Sequence, residues 1–99
     1  MKIRFRRVAL SDIESIHSYI SEQDPSAAAR VCGRIFESIA RLAEFPLLGR
    51  TGVVESTYEL VVPKFGYIVV YRITERVEIV GVFHPSEDRT PEQQRRADE

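Results

Sequence analysis

The stretch from residue 45 to residue 84 decides the fold, and it reads FPLLGRTGVVESTYELVVPKFGYIVVYRITERVEIVGVFH. A helix is expected to end at the start of this stretch, because Pro46 disfavours helical backbone angles in the residue before it. A loop with a Gly49-Arg50 turn follows, and three β-rich runs then lead to His84. This order predicts a helical layer followed by a sheet.

The three β-rich runs span about 58–62, 67–73 and 77–83. They are separated by links of only four and three residues, Pro-Lys-Phe-Gly and Thr-Glu-Arg. Links this short place consecutive strands side by side and antiparallel. The two later runs are apolar at most positions, which predicts central strands that are covered on both faces. Gly81 predicts a bulge in the last strand.

Two helices are predicted before this stretch. Ser11, with a glutamate three residues later, predicts a capping box and a first helix over 12–21. Asp24 and Pro25 predict the start of a second helix, because aspartate caps free amides and proline lacks the donor that would be unpaired there. Apolar residues then recur at helical spacing until Pro46. The turn between the helices is short, so an antiparallel hairpin is expected.

Ile3 and Phe5 alternate with arginines and predict a short N-terminal strand. The predicted fold is therefore α+β with two layers: an N-terminal strand and an antiparallel helix hairpin packed on a three- to four-stranded antiparallel sheet. Residues 1–84 are predicted to form a single domain. Residues 85–99 carry eight charged residues and two prolines, which predicts a polar tail that is mobile or ordered only by a partner.

Composition narrows the class of protein. The net charge of -1 provides no electrostatic footprint for nucleic acid, so direct nucleic-acid binding is not expected. Cys32 is the only cysteine, without zinc-ligand spacing around it, and lies in an apolar helical pattern. The basic residues between Lys2 and Arg7 are either edge-strand charges or phosphate contacts, and we favour the edge strand. No apolar run suits a signal peptide or a membrane span. We expect a cytoplasmic protein without membrane contact, metal or cofactor.

Three polar residues are candidates for chemistry, although none belongs to a defined catalytic motif. Arg50 could hold a phosphate bidentately or tie its loop to a carboxylate. Arg72 could be ion-paired, or it could be functional and lie close to His84 across the adjacent strand. His84 could act as an acid or base, or it could cap the sheet through a backbone hydrogen bond. Tyr67 and Tyr71 are expected to be core aromatics.

After the first strand, six short segments follow one another along residues 1–84. They are Ala9-x-x-Asp12-Ile13-x-x-Ile16, Pro25-x-Ala27-Ala28, Leu42-x-x-Phe45-Pro46-x-x-Gly49-Arg50, Glu59-Leu60, Tyr67-x-Val69-x-Tyr71-Arg72 and Val82-Phe83-His84. No single segment is specific, but their order and spacing together resemble the RelE/ParE superfamily of toxins from type II toxin–antitoxin systems. The resemblance implies the two-layer fold described above.

The resemblance implies two divergent activities. RelE-like members cut mRNA on the ribosome, whereas ParE-like members poison DNA gyrase and do not hydrolyse RNA. The Pro-Ala-Ala-rich second helix, the Phe-Pro-x-x-Gly-Arg segment and the Glu-Leu pair are similar to the ParE side. RelE-like nucleases tend to carry several lysines and arginines with a late tyrosine or histidine, but this chain has no lysine after Lys64, and Pro85 follows His84. The implied function is a ParE-like toxin that inhibits gyrase by binding, rather than an enzyme.

Two alternatives stay open. One is a RelE-like ribosome-dependent mRNA endonuclease, in which Arg50, Arg72 and His84 would be the phosphate clamp and the acid/base group. The other is a non-toxic protein-interaction module. An arginine commonly precedes the Glu-Leu pair in ParE-like members, and here that position is Tyr58, which puts toxicity or target preference in question.

The resemblance also implies a partner, a cognate ParD-like antitoxin whose C-terminal segment wraps the toxin into a hetero-oligomer. The apolar stripe of the second helix is broader than one buried face requires. Its additional members are candidate antitoxin contacts, since an exposed apolar patch marks a partner site. They are Ala29, Phe36, Ala40 and Phe45.

Overall fold

The computed structural model describes residues 1–87 and 89. The elements in chain order are strand β1 (Ile3–Phe5), helix α1 (Arg7–Ser21), helix α2 (Pro25–Arg41), and strands β2 (Arg50–Thr51), β3 (Tyr58–Val61), β4 (Ile68–Ile73) and β5 (Val77–Phe83). The two helices pack together and cover one face of the sheet. The predicted two-layer α+β fold with an N-terminal strand and a helix hairpin is confirmed.

The sheet has five strands in the order β1-β5-β4-β3-β2. Strands β3, β4 and β5 are antiparallel neighbours, as predicted. The segment predicted as a loop contributes β2, which pairs with β3 antiparallel, and β1 pairs with β5 in parallel. The expectation of three or four purely antiparallel strands is therefore corrected to a mixed sheet of five. Two causes account for the difference. The helix hairpin connects β1 to the later strands and so makes a parallel pair possible. Strand β2 has only two residues, too few for a periodic pattern in the sequence.

Helix α1 begins at Arg7, five residues before the predicted start at position 12. Ser11 lies inside the helix and does not cap it. The chain instead turns directly from strand to helix, because the Arg6 amide bonds to the Ile79 carbonyl (3.0 Å). Asp12 serves the sheet: its Oδ2 accepts a hydrogen bond from the Val82 amide at 2.9 Å. A long-range contact therefore replaces the predicted local cap.

Helix α2 begins as predicted. Asp24 Oδ1 accepts from the Ala27 amide (3.1 Å), and Pro25 occupies the first helical position. The helix ends at Arg41, and turn residues continue to Glu44, two positions before the predicted stop at Pro46. Its inner face buries Val31, Ile35 and Ile39, among others. Each side chain of that size contributes about 2 kcal/mol through burial.

Both faces of the two central strands are buried, as the apolar runs predict. Val69, Tyr71 and Ile79 contact the helices, whereas Val70 and Phe83 belong to a second cluster on the opposite face, with which Val8 packs. The predicted bulge is also present, since Val70 pairs with Gly81 but Tyr71 pairs with Ile79, which leaves Val80 as the extra residue. The bulge lies beside Gly81.

The basic residues near the N-terminus lie on and next to an edge strand, the interpretation favoured from the sequence. Arg4 and Arg6 both reach Glu78 of β5, at 3.5 Å and 3.2 Å. Most of the predicted polar tail over 85–99, at position 88 and from position 90 onward, lies outside the described residues. In the part of the chain that the structure describes, no helix is long and apolar enough to cross a bilayer, and no group of three metal-ligating side chains occurs.

Candidate functional site

The loop that follows α2 is held by one buried hydroxyl group. Tyr71 is fully buried, and its Oη accepts a hydrogen bond from the Gly49 amide (2.9 Å) and donates one to the Pro46 carbonyl (2.7 Å). Burial raises the pKa of Tyr71 above its ordinary value, although the Gly49 amide opposes the shift. Tyr71 is a core aromatic, as predicted, and it also fixes both ends of the 46–49 turn.

Gly49 is required at this point by the closeness of the packing. A Cβ added there would lie 2.7 Å from the Tyr71 hydroxyl and 2.8 Å from the Glu59 carbonyl oxygen. Neither group can withdraw, because the ring is enclosed and the carbonyl belongs to β3. The glycine of the Gly49-Arg50 turn therefore permits close approach of the loop to the sheet.

A buried carboxylate holds the next part of the loop. The side chain of Glu59 is only 2% exposed, yet its Oε2 accepts from the Val53 amide (3.2 Å), and its Oε1 lies 3.4 Å from Arg50 Nη2 and 3.2 Å from Arg89 Nε. Of the two roles weighed for Arg50, the structure contains the tie to a carboxylate. The Arg50 side chain is nevertheless 61% exposed, so the outer side of this ion pair faces solvent.

Arg72 and His84 do not meet. The partner of Arg72 across the sheet is Glu78, and His84 lies six residues beyond Glu78, after the end of β5. At about 3.3 Å per residue, this separates them by on the order of 15–20 Å. The prediction that Arg72 lies close to His84 is wrong, because the register pairs Arg72 with the beginning of β5 rather than its end.

The His84 ring bonds to the backbone of the turn that follows β5 rather than to the sheet. Its Nδ1 accepts from the Ser86 amide (3.1 Å) and lies 2.7 Å from the Ser86 hydroxyl. Its own amide donates to Glu87 Oε1 (2.8 Å), and the ring meets Tyr67 edge to face at 5.6 Å. A neutral ring that accepts at Nδ1 carries its proton on Nε2. His84 therefore lies apart from both arginines, whereas Arg50 and Arg72 lie on one face of the sheet, two strands apart.

The four candidate antitoxin contacts are all exposed, although they do not form one surface. Ala29, Phe36 and Ala40 lie at helical spacing on one side of α2. Phe36, 42% exposed, packs against Phe5 and lines a cleft of about 400 Å³ between the two helices. Phe45, 54% exposed, lines a different cleft of about 500 Å³ at the end of α2. The other residues of that second cleft are Arg41, Pro46, Leu47 and Leu48.

Tyr58 takes the position at which the resemblance places an arginine. Its ring is half-buried and stacks on Tyr71 with centroids 5.5 Å apart and an interplanar angle of 25°. The side chain therefore forms part of the packing beneath the loop.

Two features of this site do not follow from the candidate residues above. Glu59 holds the loop, and a carboxylate inside an apolar strand is the sequence signal for such a buried ion pair. Leu47 and Leu48 are 70% and 40% exposed. The two adjacent leucines carry no periodicity that would distinguish exposed from buried positions.

Comparisons with known proteins agree with this architecture. A family model described as the ParE toxin of the type II toxin-antitoxin system, parDE, matches residues 3–89. A relative from Sinorhizobium fredii (strain NBRC 101917 / NGR234), named "Putative toxin Y4kP", is 46% identical over 83 residues, which are 84% of this chain and 86% of the relative.

Among solved structures, a chain titled "Chromosomal ParDE TA system from P. aeruginosa" superposes with a TM-score of 0.76 at 19% identity. The match covers 85% of this chain and 95% of the other. At that identity the superposition shows the shared fold. The family model spans nearly all of the described chain, and with the close relative it establishes the family. This chain belongs to the ParE toxin family of type II toxin–antitoxin systems.

Proposed function

We propose that this chain is a toxin that inhibits DNA gyrase by binding in the cytoplasm, and that a cognate ParD-like antitoxin neutralises it in a hetero-oligomer. The observation that carries a binding mechanism is the dispersal of the acid/base and phosphate-binding candidates. Transfer of a proton to or from a reacting group requires the participating side chains within about 3 Å of the reacting atoms. Arg50 is paired with Glu59, and Arg72 and His84 lie at opposite ends of the β4–β5 pair.

The antitoxin part of the proposal is supported by exposed apolar surface. A small domain with an exposed phenylalanine on the helix hairpin, and a second beyond its end, offers anchors of the type that dominate protein interfaces. An amphipathic helix laid in a cleft is a common mode of peptide capture. Phe36 forms the proposed contact beside α1, and Phe45 forms the proposed contact at the end of α2. Ala29 and Ala40 are proposed to extend the contact along the exposed side of α2.

Expression of the chain alone in bacteria tests the proposed activity. Filamentous cells with a DNA-damage response, together with supercoiling inhibition by the purified protein, are the expected result. Rapid loss of translation with cleaved transcripts would instead identify the RelE-like nuclease, and an Arg72→Ala/His84→Ala variant would then lose toxicity. Under the gyrase proposal that double variant stays toxic.

Unimpaired growth would indicate the non-toxic interaction module, for which the stacked Tyr58 is the specific observation. A Tyr58→Arg variant distinguishes an attenuated toxin from an inert module. If tyrosine at this position only attenuates a toxin, Tyr58→Arg restores growth inhibition. If the chain is an inert module, the variant grows like the parent.

The antitoxin contact is tested with Phe36→Asp and with Tyr19→Asp as the matched control. Tyr19 is a more exposed aromatic on α1 that lines neither of the two clefts. Phe36→Asp is expected to weaken the complex with the antitoxin encoded beside the toxin gene by about tenfold or more, with the circular dichroism of the free toxin retained. Equal affinities for the two variants would remove Phe36 from the interface, and loss of structure in Phe36→Asp would place it in the core.

A further inference from the structure

A groove made of neighbouring clefts follows the side of α2 that faces the β3–β4 turn. Three adjoining clefts form it: one between the middle of α2 and the turn, one between the end of α2 and β3, and one at the loop after α2. The second and third clefts share Arg41 and Leu48, and the first and second meet at neighbouring residues of the turn. We call this the α2 groove, lined principally by Arg30, Arg34, Arg41, Lys64, Phe45 and Leu48.

The charge of the α2 groove is one-sided, although the whole chain carries a net charge of -1. Its lining contains four basic residues, Arg30, Arg34, Arg41 and Lys64, and a single acidic residue, Glu37. The three arginines lie at i, i+4 and i+11, so they form a row on one side of the helix. The groove therefore has a local excess of three positive charges.

These cations are not neutralised within the part of the chain that the structure describes. Arg30 donates a hydrogen bond to the Ser26 hydroxyl (3.1 Å), and no ion pair is formed there by Arg34, Arg41 or Lys64. By contrast, Arg50 on the neighbouring loop reaches a buried carboxylate. Positive charges in a row along a groove raise the local concentration of anionic partners, and they favour the binding of a partner with a matching row of negative charges.

The end of the groove is apolar and rigid. Leu47 and Leu48, together with Phe45, project from the loop that the Tyr71 hydroxyl holds at both ends. Exposed leucines on a flexible loop would collapse onto the nearest apolar surface, but this loop is held by its backbone. A partner that binds here meets a preformed surface and loses less free energy in ordering it.

We infer that the α2 groove binds an acidic amphipathic segment, whose carboxylates lie along the arginine row and whose apolar side chains cover Phe45, Leu47 and Leu48. The identification of that segment with part of the antitoxin rests on the proposed function; its chemistry comes from the groove. A second copy of the chain would bring like charges together, and a nucleic acid would leave the leucines uncovered. Both are outcomes of the test.

The probe is a synthetic peptide of about 18 residues, five helical turns, with glutamates on one side and leucines on the other. A second peptide has lysine in place of every glutamate. Fluorescence anisotropy with the purified toxin should show binding of the acidic peptide. The affinity for the basic peptide should be lower by about tenfold or more. The affinity should also fall as NaCl rises from about 50 to about 300 mM, since exposed charges are screened over this range.

Charge reversal locates the site. Arg34→Glu/Arg41→Glu is expected to weaken binding about tenfold or more, whereas Arg76→Glu, an exposed arginine in the β4–β5 turn away from the groove, leaves it unchanged. Lys64→Gly removes a charge without a folding penalty, because the φ of Lys64 is 76°, a conformation that suits glycine. It should weaken binding a few-fold while the thermal midpoint stays the same or rises.

Equal binding of the acidic and basic peptides would overturn the inference, as would unchanged binding in Arg34→Glu/Arg41→Glu. Tighter binding to a single-stranded DNA oligonucleotide or to phosphatidylglycerol vesicles than to the acidic peptide would also overturn it. So would concentration-dependent dimerisation that the peptide cannot displace. These results are independent of toxicity: a chain that binds the acidic peptide but stays non-toxic even as Tyr58→Arg refutes the proposed function and leaves the groove chemistry standing.

Discussion

Replacing Tyr71 with phenylalanine removes one oxygen atom and two hydrogen bonds, and the rest of the ring packing stays in place. The hydroxyl donates to the Pro46 carbonyl and accepts from the Gly49 amide. Each such bond contributes about 1 kcal/mol to stability. Because both loop groups are half-buried rather than enclosed, water can partly replace the hydroxyl. We therefore expect Tyr71→Phe to lower the free energy of unfolding by about 2 kcal/mol.

For a domain of this size that loss corresponds to a fall in the thermal midpoint of about 10 °C. Urea unfolding followed by circular dichroism measures the free energy, and calorimetry measures the midpoint. Tyr67→Phe is the matched control. The Tyr67 ring is half-buried and meets His84 edge to face, but its hydroxyl makes no hydrogen bond among the described residues. That variant should stay within about 0.5 kcal/mol of the parent.

The loop makes a second, functional readout possible. If the Tyr71 hydroxyl holds Leu47 and Leu48 in position, Tyr71→Phe should weaken binding of the acidic peptide as well as lower stability, because ordering the loop then opposes binding. Hydrogen exchange at the Gly49 amide should accelerate in the same variant. Equal stabilities for Tyr71→Phe and Tyr67→Phe would refute the reasoning, since the two hydrogen bonds would then contribute nothing.

Three further predictions follow from the same region. Gly49→Ala should destabilise the fold by about 1–3 kcal/mol through overpacking. Gly33→Ala on α2, where an added Cβ meets nothing within 4 Å, should instead raise stability by about 1 kcal/mol. Thermal melts measure both variants, and equal effects would contradict the close approach at Gly49. Glu59→Gln should cost about 2 kcal/mol, less than the about 3–5 kcal/mol of a fully enclosed pair, because the Arg50 side of the ion pair is exposed; Glu55→Gln on the exposed part of the loop is its neutral control in urea titrations. Because the pKa of Tyr71 is raised, its hydroxyl stays protonated in the folded state at a pH where the unfolded chain ionises. Its contribution to stability should therefore be complete below about pH 10 and decline as pH rises through the folded pKa. A Tyr71→Phe variant whose stability declines as steeply would show that another group is responsible.

The predictable parts of this molecule are those whose signal is local. Asp24 and Pro25 mark a helix start through groups within one turn of each other, and the β4–β5 link is too short for any connection but an antiparallel one. The same holds for the bulge beside Gly81. In each case the residues that carry the signal also make the structure, so neighbouring positions were enough.

The errors come from contacts between distant residues. Helix α1 starts early because the Arg6 amide bonds to Ile79, and Asp12 binds a β5 amide instead of capping a helix. Neither partner can be identified from residues 1–21. The parallel pairing of β1 with β5 has the same cause, since the crossover is set by how the helix hairpin packs on the sheet.

The candidate site divides in the same way. The amino-acid sequence alone determined the two-layer fold class, the family resemblance, and the outer position of Phe36, because helical periodicity separates inner from outer positions on α2. Only the tertiary structure decided that Arg72 and His84 lie apart, since strand register is set by pairing across the whole sheet. It also decided that the loop leucines stay in solvent, because one tyrosine hydroxyl on β4 bonds to the backbone that carries them.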